Sequence, residues 1–147
     1  SLREVQRFRR ANGIAAKVVN RGLQLAGDRA SNVAGAGAVI QVMSVDDSTV
    51  AFAAGDTALN SGGAVATESD AAFDSTPTRT GQVVSHVATF GVGVVLTIKR
   101  IALHNDTAAN VTTSSTTLIA GASGQSLVKD ATYSLTITMK ITYADAS

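Results

Sequence analysis

The chain has no cysteine, no tryptophan and a single proline among its 147 residues. Without cysteine there are no disulfides, no thiolate nucleophile and no cysteine-ligated zinc. Small domains in oxidising compartments often carry bridges, so synthesis in a reducing cytosol is the simpler expectation. Aromatics are limited to four Phe and two Tyr, so the core has to be built from small and β-branched side chains. Such a core is thin, and thin sheets often complete their burial against neighbouring copies. No apolar run approaches the roughly 18–20 residues of a membrane span. Ser1 to Arg7 carries charges with no apolar stretch behind it, which argues against a secretory signal.

What the chain does have is a strict alternation at its tail. Tyr133, Leu135, Ile137, Met139, Ile141 and Tyr143 alternate with Ser134, Thr136, Thr138, Lys140 and Thr142. A period of two makes a β-strand with one dry and one wet face. Charge is the second feature. Net charge is +1, yet residues 1–29 hold seven Arg and Lys against Glu4 and Asp28, leaving the remainder mildly acidic. A basic lead segment on an acidic body suggests docking on something negative.

Leu2, Val5, Phe8, Ala11, Ala15, Val18, Val19, Gly22, Leu23 and Ala26 recur at intervals of three and four. This spacing predicts an amphipathic helix over residues 2–26, kinked or divided at Asn12-Gly13 because Gly costs about 1 kcal/mol in a helix interior. Val39 to Val45 reads as a largely buried strand. Residues 51–80 read as a long loop with short strands, anchored by Phe52, Leu59, Val65 and Phe73. A loop of that length is expected to wrap something or pair with a neighbour. Gly81 to Phe90 and Val92 to Asn105 read as strands, the second with a parity switch at Lys99-Arg100 of the kind a β-bulge produces. Thr116 to Ala120 and Ala131 to Tyr143 complete the pattern. The fold class expected is mainly β: an antiparallel β-sandwich, or partly open barrel, of five to seven strands with an N-terminal helical segment. Residues 1–30 would form a basic helical arm and residues 31–147 the β domain.

Several landmarks occur in order: Asn12-Gly13-Ile14-Ala15-Ala16, then Ala53-Ala54-Gly55-Asp56-Thr57-Ala58-Leu59, Ile98-Lys99-Arg100-Ile101-Ala102-Leu103-His104-Asn105, and Gly124-Gln125-Ser126-Leu127 ahead of the final strand. This series resembles a group of small virion structural proteins of tailed bacteriophages. Ala102 and His104 stand where that group tends to show Gly and Phe. The resemblance implies a β-rich domain with a preceding helix, associated with the head or tail of the particle.

His86 and His104 lie in or beside strand patterns with no carboxylate at ligand spacing, which favours structural roles. His104, next to Asn105-Asp106, is the better candidate for a polar contact at a loop edge. No Gly-x-Ser-x-Gly elbow or phosphate-binding loop occurs. Asp46, Asp47, Asp56, Asp70 and Asp74 lack the calcium-loop spacing and read as turn residues. No catalytic, cofactor or metal site is therefore assigned, and no enzyme activity is expected.

The expected site is a docking interface at Arg3, Arg7, Phe8, Arg9 and Arg10. Phe8 is the lone aromatic there, which disfavours direct nucleic-acid binding relative to a protein contact. The expected role is a capsid decoration (cement) protein within the virion, partnered by the major capsid protein or a tail protein and by its own copies, without membrane contact. Tail or fibre-adaptor service is the alternative. A carbohydrate-binding module using residues 112–117 and 51–80 is the competing class, disfavoured by the scarcity of Trp and Tyr.

Overall fold

The alternating tail forms the final strand, β11 (Ser134–Thr142), in a computed structural model that describes residues 8–63, 65, 67–106 and 117–143. Leu135, Ile137, Met139 and Ile141 are buried, whereas the Ser, Thr and Lys residues between them are half-buried or exposed. Before it come β1 (Phe8–Ala15), β2 (Lys17–Val18), α1 (Asn20–Ala30), β3 (Val42–Asp46), β4 (Glu68–Ala72), β5 (Thr78–Thr80) and β6 (Val83–Phe90). These are followed by β7 (Leu96–Ile98), β8 (Arg100–His104), β9 (Leu118–Ala122) and β10 (Leu127–Lys129). The protein is mainly β, with one helix among the described residues. The number of strands exceeds expectation because β2, β5, β7 and β10 are pieces of two or three residues.

Among the described residues three sheets result: β1-β11-β6-β5, β2-β9-β8-β3-β4 and the pair β10-β7. All pairings are antiparallel except β1 with β11. One apolar cluster draws on both large sheets: Met43, Val45, Ile101, Leu103 and Ala120 from one, Ala88, Phe90, Ile137, Met139 and Ile141 from the other. Leu96 and Ile98 join the same cluster. The parity switch after Ile98 is thus a strand boundary rather than a bulge within one strand. At Lys99 the chain passes from the two-stranded to the five-stranded sheet, and the change of parity keeps both halves facing one core.

The expected helix over residues 2–26 is corrected by the structure. Residues 2–7 lie outside the described residues; residues 8–15 are a strand, and among the described residues helix is confined to α1. The three-residue step from Ala11 to Ile14 imitates helical spacing, but Ala11 pairs with Ile137 and Ile14 with Met139. Three steps on β1 therefore match two on β11, which is one extra residue. Gly13, at φ 72°, supplies the left-handed turn this needs and returns Ile14 to the core side. The basic segment is consequently woven into the fold: β1 into the four-stranded sheet, β2 into the five-stranded one.

All five residues of β3 are buried because both of its faces are covered. One face meets the main core. The other lies under the segment from Asp47 to Thr67, whose anchors Phe52, Leu59 and Val65 pack with Val19, Ala102 and Leu118. The long loop thus wraps its own sheet. Two glycines permit this closeness. A Cβ on Gly121 would stand 2.4 Å from the Phe52 ring, and one on Gly22 would stand 2.3 Å from the Ile119 carbonyl oxygen, where α1 crosses β9.

Candidate functional site

Of the expected docking residues, Arg3 and Arg7 lie outside the described residues. Phe8 opens β1, paired with Ser134. Arg9 and Arg10 follow, exposed on the outermost strand of the four-stranded sheet. A strand in that position has one backbone edge paired to β11 and the other facing away from the sheet. The Arg9 guanidinium lies 4.4 Å from the centre of the Tyr133 ring, a cation–π contact that holds it against the body of the domain. Lys129 approaches the same ring at 5.1 Å, its Nζ donating to the carbonyls of Val94 and Asp130. The Asp130 carboxyl is held below the ordinary range by hydrogen bonds from Thr132, with smaller contributions from Arg9 and Lys129.

Arg9 and Arg10 share a shallow depression with Leu127, Val128 and Tyr133. Sequence reasoning missed β10, which forms one wall. Its three residues alternate too briefly to register as a strand. The other cations of the lead segment point elsewhere: Arg21 donates to the Asn105 side chain (2.8 Å) and Arg29 to the Gly37 carbonyl. The basic charge is therefore spread over β1, β2 and α1 rather than along one helical face.

The five-stranded sheet carries a second constellation, polar and buried. In register across β4, β3 and β8 stand Glu68, Asp46 and Arg100. Arg100 donates through Nε (2.8 Å) and Nη2 (2.7 Å) to the Asp46 carboxylate and through Nη2 to the Leu59 carbonyl (2.8 Å). Both partners are almost wholly buried. The Phe52 ring lies 4.5 Å from the guanidinium carbon. The expected turn role of Asp46 is thereby corrected: it closes β3 as half of a buried, bidentate ion pair.

Glu68 Oε1 and Asp70 Oδ2 are buried without a hydrogen-bond partner. Burial pushes the Glu68 carboxyl up to about 7, reinforced by the negative charges of Asp70 and Asp46. Burial likewise raises Asp70. The remaining aspartates of the set act locally: Asp47 accepts from the Thr67 amide, Asp56 from Ala53 and Asp74 from the Thr89 hydroxyl. Among the described residues no three carboxylate or imidazole groups converge as metal ligands.

His104 was expected at a loop edge; it is instead fully buried in β8. Its Nε2 lies 2.7 Å from Ser44 Oγ and its Nδ1 3.0 Å from Thr117 Oγ1. Burial, with the positive charge of Arg21, pushes its pKa down to about 3 against the pull of Asp106, so the ring is neutral across the physiological range. Ser44 has no exposed surface. The trio therefore joins β3, β8 and the residue before β9 as a polar cross-link, with a threonine where a hydrolytic triad would hold a carboxylate. Of residues 112–117, proposed as a sugar-binding loop, 112–116 lie outside the described residues and Thr117 is buried.

His86 is also buried, at 3% exposure, its ring centre 5.4 Å from that of Phe73 and tilted 51° to it. Its Nδ1 has no partner. It lines a cleft of about 220 Å³ between α1 and the β6 side of the four-stranded sheet, among Val18, Leu25, Ile40 and Pro77.

Comparison of the chain with protein-family models, with curated proteins and with solved structures finds no match. Among the described residues no helix is long and apolar enough to cross a membrane.

Proposed function

We propose that this chain is a non-enzymatic structural protein of a tailed-phage virion, a capsid decoration protein that docks through its basic lead segment. The two large sheets, joined by a shared core, make a β-sandwich in this reading. The observation that carries it is the position of Arg9 and Arg10 on an outermost strand; Arg3 and Arg7 precede them in the sequence. An edge strand offers backbone hydrogen-bonding groups to a partner, and flanking guanidinium groups favour an acidic one. The parallel pairing of β1 with β11 couples that edge to a strand whose apolar face lies in the shared core, so a pull on the attachment is borne by a ladder of hydrogen bonds. Repetition over a symmetric surface multiplies a weak contact into a strong one. The ordered resemblance of the sequence landmarks to phage virion proteins supplies the biological setting.

The test is quantitative mass spectrometry of purified virions of the encoding phage. Abundance in proportion to the major capsid protein supports capsid decoration. A few copies per particle would move the protein to the tail or fibre, and absence from particles would overturn the reading. A variant with Arg9→Glu and Arg10→Glu should fold, since both side chains are exposed, yet be lost from the particles.

A further inference from the structure

The depression beside Arg9 and Arg10 lies between two strands that do not pair with each other. β2 runs antiparallel to β9, Lys17 against Gly121 and Val18 against Ala120. If β1 kept that register, Arg10 would stand opposite Val128 and Ala11 opposite Leu127 on β10. The chain turns away instead: the Ala16 amide donates to the Lys140 carbonyl at 2.9 Å, and β1 joins β11 in the other large sheet. Among the described residues β1 pairs only with β11 and β10 only with β7, so each strand has one open backbone edge. Since β7 runs on into β8, and β9 lies between β8 and β2, the open edge of β10 is on the side from which β1 has departed. Residues 9–11 and 126–128 line the resulting groove, of about 330 Å³.

We propose that this groove is a slot for an extended acidic segment of the particle protein, which adds a strand beside β1 with its carboxylates against the guanidinium groups. This rests on docking through the lead segment and specifies what docks there. An open strand edge pairs with any extended backbone, so the side chains around it choose the segment. Successive residues of β1 face opposite ways, which puts Arg9 on the side of Leu135 and Arg10 on that of Thr136. On the Leu135 side the floor is hydrocarbon. Ala11 and Leu127 pack there against the core while only partly buried, beside Tyr133. Alternate apolar residues of an incoming strand would cover them. Arg10 is exposed and makes no hydrogen bond or ion pair among the described residues. Arg9 lies over the Tyr133 ring by its flat face, which leaves its N–H edges for a carboxylate. Asp130 is near enough to offset part of the Arg9 charge, but no acidic side chain lines the groove. Two copies joined through their β1 edges would bring four guanidinium groups together, and like charges facing across strands are destabilising. Charge therefore favours an acidic strand from a different protein over the same edge of a second copy.

The bulge sets the length of the slot. Asn12 and Gly13 leave the ladder, with Gly13 at φ 72°, so regular pairing along β1 is interrupted after Ala11. Residues 8–11 span about 13 Å at about 3.3 Å per residue, which a segment of four or five residues fills.

The experiment is titration of the full chain at pH 7 with three end-capped pentapeptides, followed by amide chemical shifts in two-dimensional NMR. The first peptide is Asp-Val-Asp-Val-Asp, the second has Lys in place of each Asp, and the third is the first with every amide N-methylated. The Asp peptide should bind saturably, moving the amides of Arg10, Ala11, Leu127 and Val128. The Lys peptide should not bind, and the N-methylated one should bind about tenfold more weakly because it cannot donate to the β1 edge. The variant with Arg9→Glu and Arg10→Glu should reverse the choice and take the Lys peptide instead. Equal affinity for the Asp and Lys peptides, undiminished binding after N-methylation, or shifts that never saturate would overturn the proposal. So would a dimer of the free chain in sedimentation velocity that dissociates in the double variant. If the Asp peptide fails while the double variant is still lost from particles, the slot falls and docking through Arg9 and Arg10 stands. If the peptide binds while that variant is incorporated as before, docking falls and takes the particle partner with it.

Discussion

Replacing Asp46 with Asn removes one charge from the buried Asp46–Arg100 ion pair while conserving shape. Asp46 Oδ1 also accepts from the Ser48 amide at 2.9 Å, a bond that the Asn carbonyl can retain. What is lost is the counter-charge to Arg100, whose side chain is 2% exposed and keeps the Leu59 carbonyl and the Phe52 ring as its neighbours. A guanidinium buried without an anion costs about 3–5 kcal/mol when its partner is removed. Domains have only ~5–15 kcal/mol of stability in total, so a large share of the fold's margin would go. The same reasoning says the pair itself contributes little relative to hydrocarbon. Asp46→Leu combined with Arg100→Met should therefore fall within about 2 kcal/mol of the parent, well above Asp46→Asn alone. Urea denaturation at pH 7 measures all three, with an unchanged m-value as the check that the denatured state is comparable. A loss below ~1 kcal/mol for Asp46→Asn would refute the account, because it would mean the guanidinium finds water or another anion.

Glu68 makes one of two opposed pH-dependent contributions. Its carboxyl sits near 7 in the fold against an ordinary 4.5, so the folded state holds the proton more tightly than the unfolded one, and this stabilisation is fully present below about pH 4.5 and lost as pH rises through 7. His104, pushed down to about 3 from 6.5, acts in the opposite sense and favours the fold as pH rises toward 6.5. The difference in melting temperature between the parent and Glu68→Gln across a pH series isolates the Glu68 part, and the parent's advantage should shrink as pH rises through 7. Gly22→Ala would gain up to ~1 kcal/mol of helix propensity in isolation. Against the Ile119 carbonyl it should instead lower the melting temperature, with overpacking costing about 1–3 kcal/mol, and a rise would show that α1 can lift off β9. Ile137→Ala, at the centre of the core shared by both large sheets, should cost about 2–5 kcal/mol in the same denaturation assay. A cost under ~1 kcal/mol would show that the two sheets do not depend on that contact.

Local patterning made parts of this protein readable without coordinates. The tail from Tyr133 to Tyr143 alternates because one face of β11 meets the core and the other does not, and no neighbour could alter that period. The anchors Phe52, Leu59 and Val65 stood out as isolated apolar residues in a polar run, and each is held against the sheet. The helix beyond Asn20 was legible, whereas residues 8–15 misled. Steps of three and four belong to a helix, but one extra residue in a strand produces the same step, and the choice is made by pairing with Ser134 to Lys140 more than a hundred positions away.

The candidate site divides along the same line. Arg9 and Arg10 were recognisable from charge, but their edge position was not, because it depends on which strand β1 pairs with. Asp46 and Arg100 each interrupt or end an apolar run, a signal of buried charge that acquires meaning once the two are seen to face each other. His86 gave no sign of its unpaired nitrogen.

Sequence alone determined the β-rich character, the two-faced final strand and the basic bias of the lead segment, since these follow from composition and from neighbours a few residues apart. Tertiary structure decided the strand identity of residues 8–15, the ion pair under the long loop and the cleft beside α1. Each of these is a meeting of segments distant in the chain, and the free energy that selects it comes from burial and pairing that no local window contains.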